Sequence, residues 1–196
     1  MAEFTLENLE PDISDFARQV VCDVILSWAR FDSLVSQLAL LAFGLSVDGG
    51  TILLGAMNTQ TKLERLKKLY AHHGMTDAAQ HIGNLEAWRN KFADIRNSIA
   101  HHTCAGSWKT DPDVIVFAPV RARKGVLNQV EIEHIPLAEM IQATEFAEQA
   151  ADALISFVEP LTARRALPPP APPAFRAPLR PTPPKQNNEE PSPPRK

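Results

Sequence analysis

The sequence predicts a mainly all-α protein: an antiparallel four-helix bundle with a small β-hairpin inserted before the last helix and a disordered proline-rich C-terminal tail. Apolar residues recur at three- and four-residue steps through several long segments, as on one face of a helix. One later segment alternates instead and is rich in Val and Ile, which is typical of strands. Thirteen of the 17 prolines fall between Pro160 and Pro194.

The first helix is predicted over about 12–45. At some thirty residues it is long, which suits a bundle or a dimer better than a compact mixed fold. The stretch VDGG, Val47–Gly50, then indicates a turn. The apolar stripe of this helix comprises Ile13, Phe16, Val20, Val24, Trp28, Phe31, Leu34, Val35, Leu38 and Leu41.

Two shorter helices are predicted next, over about 51–57 and 59–73, the second ending before Gly74 as a helix-terminating glycine. Thr76 is predicted to cap a long helix over about 77–102. The apolar stripe of that helix comprises Ile82, Leu85, Trp88, Phe92, Ile95 and Ile99.

The hairpin is predicted over about 113–135, with strands at 113–122 and 126–135 and a turn at Lys124-Gly125. Pro119 cannot donate a ladder hydrogen bond, so its strand is predicted to be an edge strand. The last helix is predicted from Pro136 to about Glu159.

Composition divides the chain into a helical domain, 1–165, and a proline-rich tail, 166–196. The domain carries 15 Lys+Arg against 21 Asp+Glu, a balance of −6, and the tail a balance of +3. An acidic domain counts mildly against tight nonspecific nucleic-acid binding. The tail contains PxxP patterns beside basic residues, so it is either a ligand for an SH3-like groove or, the favoured interpretation, a stiff or solubilising linker.

The first residues are acidic and lack the basic and apolar regions of a signal peptide. The longest apolar patch, LVSQLALLAFGL, is broken by Ser36 and Gln37 and is too short to span a bilayer. Two cysteines far apart give no disulfide framework. We therefore expect a cytoplasmic protein with no membrane partner.

Arg96, Asn97, His101 and His102 lie near the end of the long fourth helix, in the stretch KFADIRNSIAHHTCAG. Asn97 and His101 are four residues apart and so share a helix face. The simplest interpretation is that these residues cap the C-terminus of the helix, because His and Arg favour the negative end of a helix. Against it, Arg96 and Asn97 fall between Ile95 and Ile99 of the apolar stripe, and a desolvated arginine needs a partner.

The segment RNSIAH, Arg96 to His101, resembles the signature of the HEPN superfamily (higher eukaryotes and prokaryotes nucleotide-binding domain), an Arg followed by a polar residue and then a His after four to six residues, late in a helix of a four-helix bundle. The resemblance covers about 12–160. His102 also fits the spacing. The hairpin and the tail depart from the common pattern, and the chain carries no nucleotidyltransferase module.

The resemblance implies a metal-independent endoribonuclease without cofactor, acting on RNA at a homodimer interface as a toxin or a defence or stress effector. His101 would act as general base on the ribose 2′-OH or as acid on the leaving 5′-oxygen, and Arg96 would hold the phosphate. Asn97 would orient the histidine or donate a hydrogen bond to the phosphate. A toxin would need a separate neutralising partner protein. Further candidates are His102 and Asp32 as accessory residues and Arg89, Lys91, Trp108 and Lys109 as RNA contacts.

Several alternatives stay open. Asp32 either pairs with Arg96 across the bundle or sits with Arg30 at its edge. For the four proposed RNA contacts, the favoured alternative is a solvated helix and loop surface. The whole domain is alternatively a non-catalytic HEPN-fold interaction module that binds nucleotide, RNA or a protein, or a helical scaffold with capping histidines. The histidine spacings do not predict a zinc site.

Overall fold

The structure, a computed structural model, describes residues 6–119 and 132–165. It is mainly helical with a small antiparallel sheet, which confirms the predicted class at that level. The five helices are α1 (Asp15–Ala42), α2 (Val47–Leu54), α3 (Thr59–His72), α4 (Thr76–His101) and α5 (Leu137–Arg165). The four strands are β1 (Leu9–Glu10), β2 (His102–Trp108), β3 (Asp111–Pro119) and β4 (Glu133–Pro136).

The core lies between the long helices, with α1 packed along α5 and α3 packed along α4. Its centre is an aromatic cluster of Trp28 and Phe31 from α1, Phe92 from α4 and Phe146 from α5. Phe146 lies 5.9 Å from Trp28, 5.8 Å from Phe31 and 5.7 Å from Phe92 between ring centroids. The indole N–H of Trp28 donates to the Ala143 carbonyl at 3.2 Å, so the buried ring leaves no orphan donor.

Helix starts differ from the predictions in two places. VDGG is the first turn of α2 and not a separate turn, because the Ser46 hydroxyl accepts from the Gly49 N–H at 3.1 Å and caps the helix. Thr76 is the first residue of α4 and not its cap; the cap position is Met75, which makes no side-chain cap hydrogen bond.

Helix ends differ as well. The predicted end of the last helix at Glu159 is wrong, because α5 continues through Pro160 to Arg165. The predicted end of the fourth helix at His102 is one residue too late, since His102 already begins β2.

The sheet is larger than the predicted hairpin, with strand order β1-β2-β3-β4 and antiparallel pairing throughout. Strand β3 is therefore an interior strand, and the prediction that Pro119 marks an edge is wrong. Pro119 is tolerated because it is the last residue of β3, opposite His102 at the first residue of β2. The predicted turn at Lys124-Gly125 and the tail, 166–196, lie outside the described residues.

Gly106 is what allows β1 to approach β2. Its φ is +124°, and a Cβ atom at this position would collide with the carbonyl oxygen of Glu10. Glycine alone adopts such a backbone without strain. A bulge between Cys104 and Gly106 accompanies the close approach.

Helix α1 is long and apolar enough to cross a membrane, judged by length and composition alone, and it is the only such helix among the described residues. In its most apolar window 39% of the residues are buried within the protein. The core helix of a soluble protein passes the same test, so this feature is weak evidence of location. The cytoplasmic location remains a prediction.

Candidate functional site

Arg96 is held by Asp32 across the α1–α4 interface. The guanidinium Nη2 lies 3.7 Å from Asp32 Oδ2, and the two side chains are 31% and 30% exposed. The other oxygen, Asp32 Oδ1, accepts from the hydroxyl of buried Thr59 at 2.7 Å. Asp32 is thus oriented by the start of α3 and in turn positions Arg96. Arg30 instead pairs with Asp152 at 2.8 Å, so Asp32 sits with Arg96 and not with Arg30.

Asn97 and Lys62 add polar groups beside this pair. Asn97 Oδ1 accepts from Arg96 Nη1 at 3.2 Å, which leaves the amide NH₂ free to donate elsewhere. Lys62 Nζ donates to Ser36 Oγ at 2.9 Å, and that hydroxyl donates to the Asp32 carbonyl at 2.8 Å. Arg96 of α4 therefore lies beside the Asp32 carboxylate, while Lys62 of α3 is linked through Ser36 to the Asp32 backbone carbonyl. We call Arg96, Asp32, Thr59, Asn97, Lys62 and Ser36 the Arg96 cluster.

The two adjacent histidines have different surroundings because the backbone changes from helix to strand between them. His101 is the last residue of α4, and its side chain is exposed. His102 Nδ1 lies 3.7 Å from Glu133 Oε1, which is close enough for an ion pair if the ring is protonated but too long for a hydrogen bond. Glu133 also accepts a hydrogen bond from Ser98 Oγ. His102 is therefore packed against β4, and His101 is the accessible histidine.

Arg96 and His101 point to different sides of α4. Five residues of helix separate their Cα atoms by about 7.5 Å along the axis and about 140° around it. Arg96 is turned toward α1 by Asp32, whereas no described residue hydrogen-bonds to the exposed His101 ring. A single chain thus supplies the two groups to opposite sides of one helix end.

Of the four proposed RNA contacts, Arg89 is the one that shares a face of α4 with Arg96. It precedes Arg96 by seven residues, or about 10 Å of helix on nearly the same face. Arg89 Nη1 donates to Asn90 Oδ1 at 3.1 Å, and its buried Nε has no hydrogen-bond partner among the described residues. Lys91 lies on another face, with Nζ 5.0 Å from the ring centroids of both Trp88 and Phe92.

Trp108 and Lys109 are not brought to the site. Trp108 is the last residue of β2 and Lys109 is the next residue, so the length of the strand places them about 20 Å from His102 at its start. There Trp108 Nε1 donates to His134 Nδ1 at 3.0 Å and the two rings stack with centroids 5.4 Å apart. Lys109 Nζ donates to the Glu7 carbonyl at 2.8 Å. These two side chains fix the N-terminal segment and β4 to the sheet.

Two residues absent from the predicted site contact its members: Thr59 donates to Asp32, and Glu133 lies beside His102. No local signal identifies either of them, since Thr59 comes from α3 and Glu133 from β4. Within the described part of the chain, no three His, Cys, Asp or Glu side chains come together as a metal site would require.

Comparisons with family models, curated proteins and solved structures found nothing that matches this chain.

Proposed function

We propose that the protein is a HEPN-like, metal-independent endoribonuclease, an antiparallel four-helix bundle with its site at the end of α4. The observation that carries the proposal is the partly exposed guanidinium of Arg96, held by Asp32 and five residues before an exposed His101. An arginine kept in one orientation and still open to solvent is what phosphate binding requires.

The proposed reaction needs no group beyond these side chains and the RNA. His101 accepts the proton of a ribose 2′-OH as its oxygen attacks phosphorus, and the bond from phosphorus to the 5′-oxygen breaks. The leaving oxygen takes a proton from the protonated His101 of a second copy of the chain, and the products are a 2′,3′-cyclic phosphate and a 5′-hydroxyl. Arg96 stabilises the negative charge that gathers on the phosphoryl oxygens, and the free Asn97 amide donates to one of them.

A homodimer is part of the proposal. Arg96 and His101 lie about 140° apart around α4, so one chain does not direct both at a single phosphate. Two copies related by a two-fold axis place His101 of one chain beside Arg96 of the other and also supply the second acid. The same arrangement brings two sets of cations to one groove, which offsets the acidic balance of the domain.

The test is cleavage of labelled total RNA in EDTA by wild type, Arg96→Ala and His101→Ala. Two matched controls come from α3, where Arg65 and His72 are exposed and lie outside the Arg96 cluster. Wild type, Arg65→Ala and His72→Ala should produce fragments ending in 2′,3′-cyclic phosphate. Arg96→Ala and His101→Ala should lose at least about 100-fold in rate, the usual contribution of a general acid–base or charge-stabilising group.

Equal cleavage by all five proteins would assign the activity to a contaminant and reject the site. Loss in His102→Ala but not in His101→Ala would move the proton-transfer role to His102. If the enzyme acts as a toxin, expression of wild type but not of His101→Ala should arrest growth, and a neutralising partner should relieve the arrest.

A second candidate function is a non-catalytic interaction module of the same fold that binds nucleotide, RNA or a protein. The observation favouring it is the Asp32 carboxylate, which already compensates the charge of Arg96. This candidate predicts that wild type binds RNA oligonucleotides without cutting them. It also predicts that Arg96→Ala weakens binding while His101→Ala leaves binding unchanged.

A further inference from the structure

A groove of about 430 Å³ lies between α4 and α5. Trp88 forms one wall and is 53% exposed, which is unusual for the largest apolar side chain. Its ring stacks on Phe92 with centroids 6.3 Å apart, and Phe92 stacks on Phe146. Trp88 is about 80° around α4 from Arg96, so this groove is separate from the Arg96 cluster.

The polar groups of the groove suit an extended backbone. Gln142 and Gln149 carry amides that donate to or accept from peptide groups, and Glu145 carries a carboxylate. Aromatic-lined grooves with a few such groups bind proline-rich segments in the polyproline II conformation, since prolines pack flat on an indole ring.

The proline-rich part of this same chain begins where α5 ends. Ring contacts of His81 with Phe157 and of Phe92 with Phe146 show that α4 and α5 run antiparallel, so Trp88 lies opposite about residue 150. From Arg165 back to that level is 15 residues of helix, or about 22 Å. A polyproline II chain covers this distance in about seven residues, and three or four more reverse its direction. The segment 172–180, PPAFRAPLR, is therefore the one that reaches the groove.

The acidic residues of α5 favour the same occupant, although the basic Lys91 of α4 also lines the groove. Residues 166–185 contain three basic residues, Arg176, Arg180 and Lys185, and no acidic residue. All charged residues of α5 are acidic except the last two, Arg164 and Arg165. The acidic residues of α5 are Glu139, Glu145, Glu148, Asp152 and Glu159.

We propose that the segment 172–180 docks in cis in the groove beside Trp88. Its prolines pack on the exposed indole, and Arg176 or Arg180 pairs with Glu145. Docking covers the one exposed tryptophan face of the α4–α5 groove, and an external proline-recognising protein has to displace the segment before it can bind. The proposal does not depend on the nuclease activity.

The experiment measures acrylamide quenching of Trp88 fluorescence in the full chain. Trp108→Phe removes one of the other two indoles, and Trp28 is only 2% exposed, so a neutral quencher reports mainly on Trp88. The test variant replaces three prolines of the segment, P172S/P173S/P178S. The matched control replaces three distal prolines, P191S/P193S/P194S.

We expect the test variant to raise the quenching constant roughly twofold, because a half-exposed ring loses its cover, and the control to leave it unchanged. Glu145→Gln should give an intermediate increase. Equal quenching in all proteins would overturn the proposal. Protection that grows with protein concentration would also overturn it, because the occupant would then be a second copy.

Discussion

Helices α1 and α4 contribute to two regions with opposite properties, the aromatic cluster and the Arg96 cluster. Trp28 and Phe31 are 2% and 0% exposed and pack ring against ring, whereas Asp32, the next residue along α1, is 30% exposed and reaches a cation. Burial of large rings is worth several kcal/mol each, while a half-solvated ion pair is worth about 1 kcal/mol at most. The same two helices are thus stabilised mainly by the aromatic cluster, while the Arg96 cluster contributes little to stability.

The largest expected effect is in the aromatic cluster. Phe31→Ala should lower the free energy of unfolding by about 3–5 kcal/mol, because it removes a fully buried ring and leaves a cavity between α1 and α5. Urea denaturation followed by circular dichroism measures the loss. Phe16→Ala on the same helix is the control, since Phe16 is 62% exposed and should change stability little. Similar losses in both variants would mean that the cluster does not dominate stability.

The next effect concerns the sheet. Gly106→Ala should cost about 3 kcal/mol, because left-handed backbone strain adds to a collision with the Glu10 carbonyl. Gly74→Ala is the matched control, since Gly74 has φ +71° but no atom within 4 Å of a Cβ at its position, and should cost about 1 kcal/mol. Equal losses, measured by thermal unfolding, would show that β1 moves away from β2 without cost.

The four long helices could be predicted from apolar periodicity because their buried faces are continuous along the sequence. Strand β2 could not, since HTCAGSW has no apolar alternation and its partner β1 lies about a hundred residues earlier. Gly49 and Gly50 indicate a turn by composition, yet Gly50 packs against α1, where a Cβ would lie 2.6 Å from the end of the Leu40 side chain and displace it. Close packing of this kind leaves no pattern in one sequence.

In the candidate site too, the residues of one helix could be predicted from the sequence, whereas those brought in from other elements could not. Arg96, Asn97 and His101 belong to one helix, so their spacing was sufficient to group them. Thr59 and Glu133 depend on how α3 and β4 dock against α4, and nothing local to either residue indicates it. Trp108 and Lys109 follow the histidines closely in sequence, but the extended strand β2 separates them from His102.

The third prediction measures the Arg96–Asp32 pair by a double-mutant cycle with Asp32→Asn and Arg96→Gln. Asparagine still accepts from Thr59, so the cycle isolates the charge interaction. We expect a coupling energy of about 0.5–1 kcal/mol at low salt, decreasing as salt is added. The Arg30–Asp152 pair, which is 50% and 69% exposed, is the matched comparison and should couple more weakly. No coupling between Arg96 and Asp32 would mean that Asp32 does not position the guanidinium.

The smallest effect at neutral pH is expected from Tyr70 of α3, which is 7% exposed and whose ring centroid lies 6.2 Å from that of Phe157. Burial raises the pKa of Tyr70 above the ordinary value of 10.0, because desolvation disfavours the phenolate. Above pH 10 the unfolded chain releases this proton while the folded chain retains it. The unfolded state then binds fewer protons, so the free energy of unfolding falls as pH rises from about 10 to the folded pKa.

Tyr70 is the single tyrosine of the chain, so near-ultraviolet tyrosinate absorbance titrates it alone. The native midpoint should lie above the midpoint in denaturant, and Tyr70→Phe should remove this part of the alkaline loss of stability. The variant should change stability little at pH 7, where the hydroxyl is neutral in both states. Coincident native and denatured midpoints would mean that the hydroxyl reaches water, and that the apolar core between α3 and α5 is more open at this end than at the aromatic cluster.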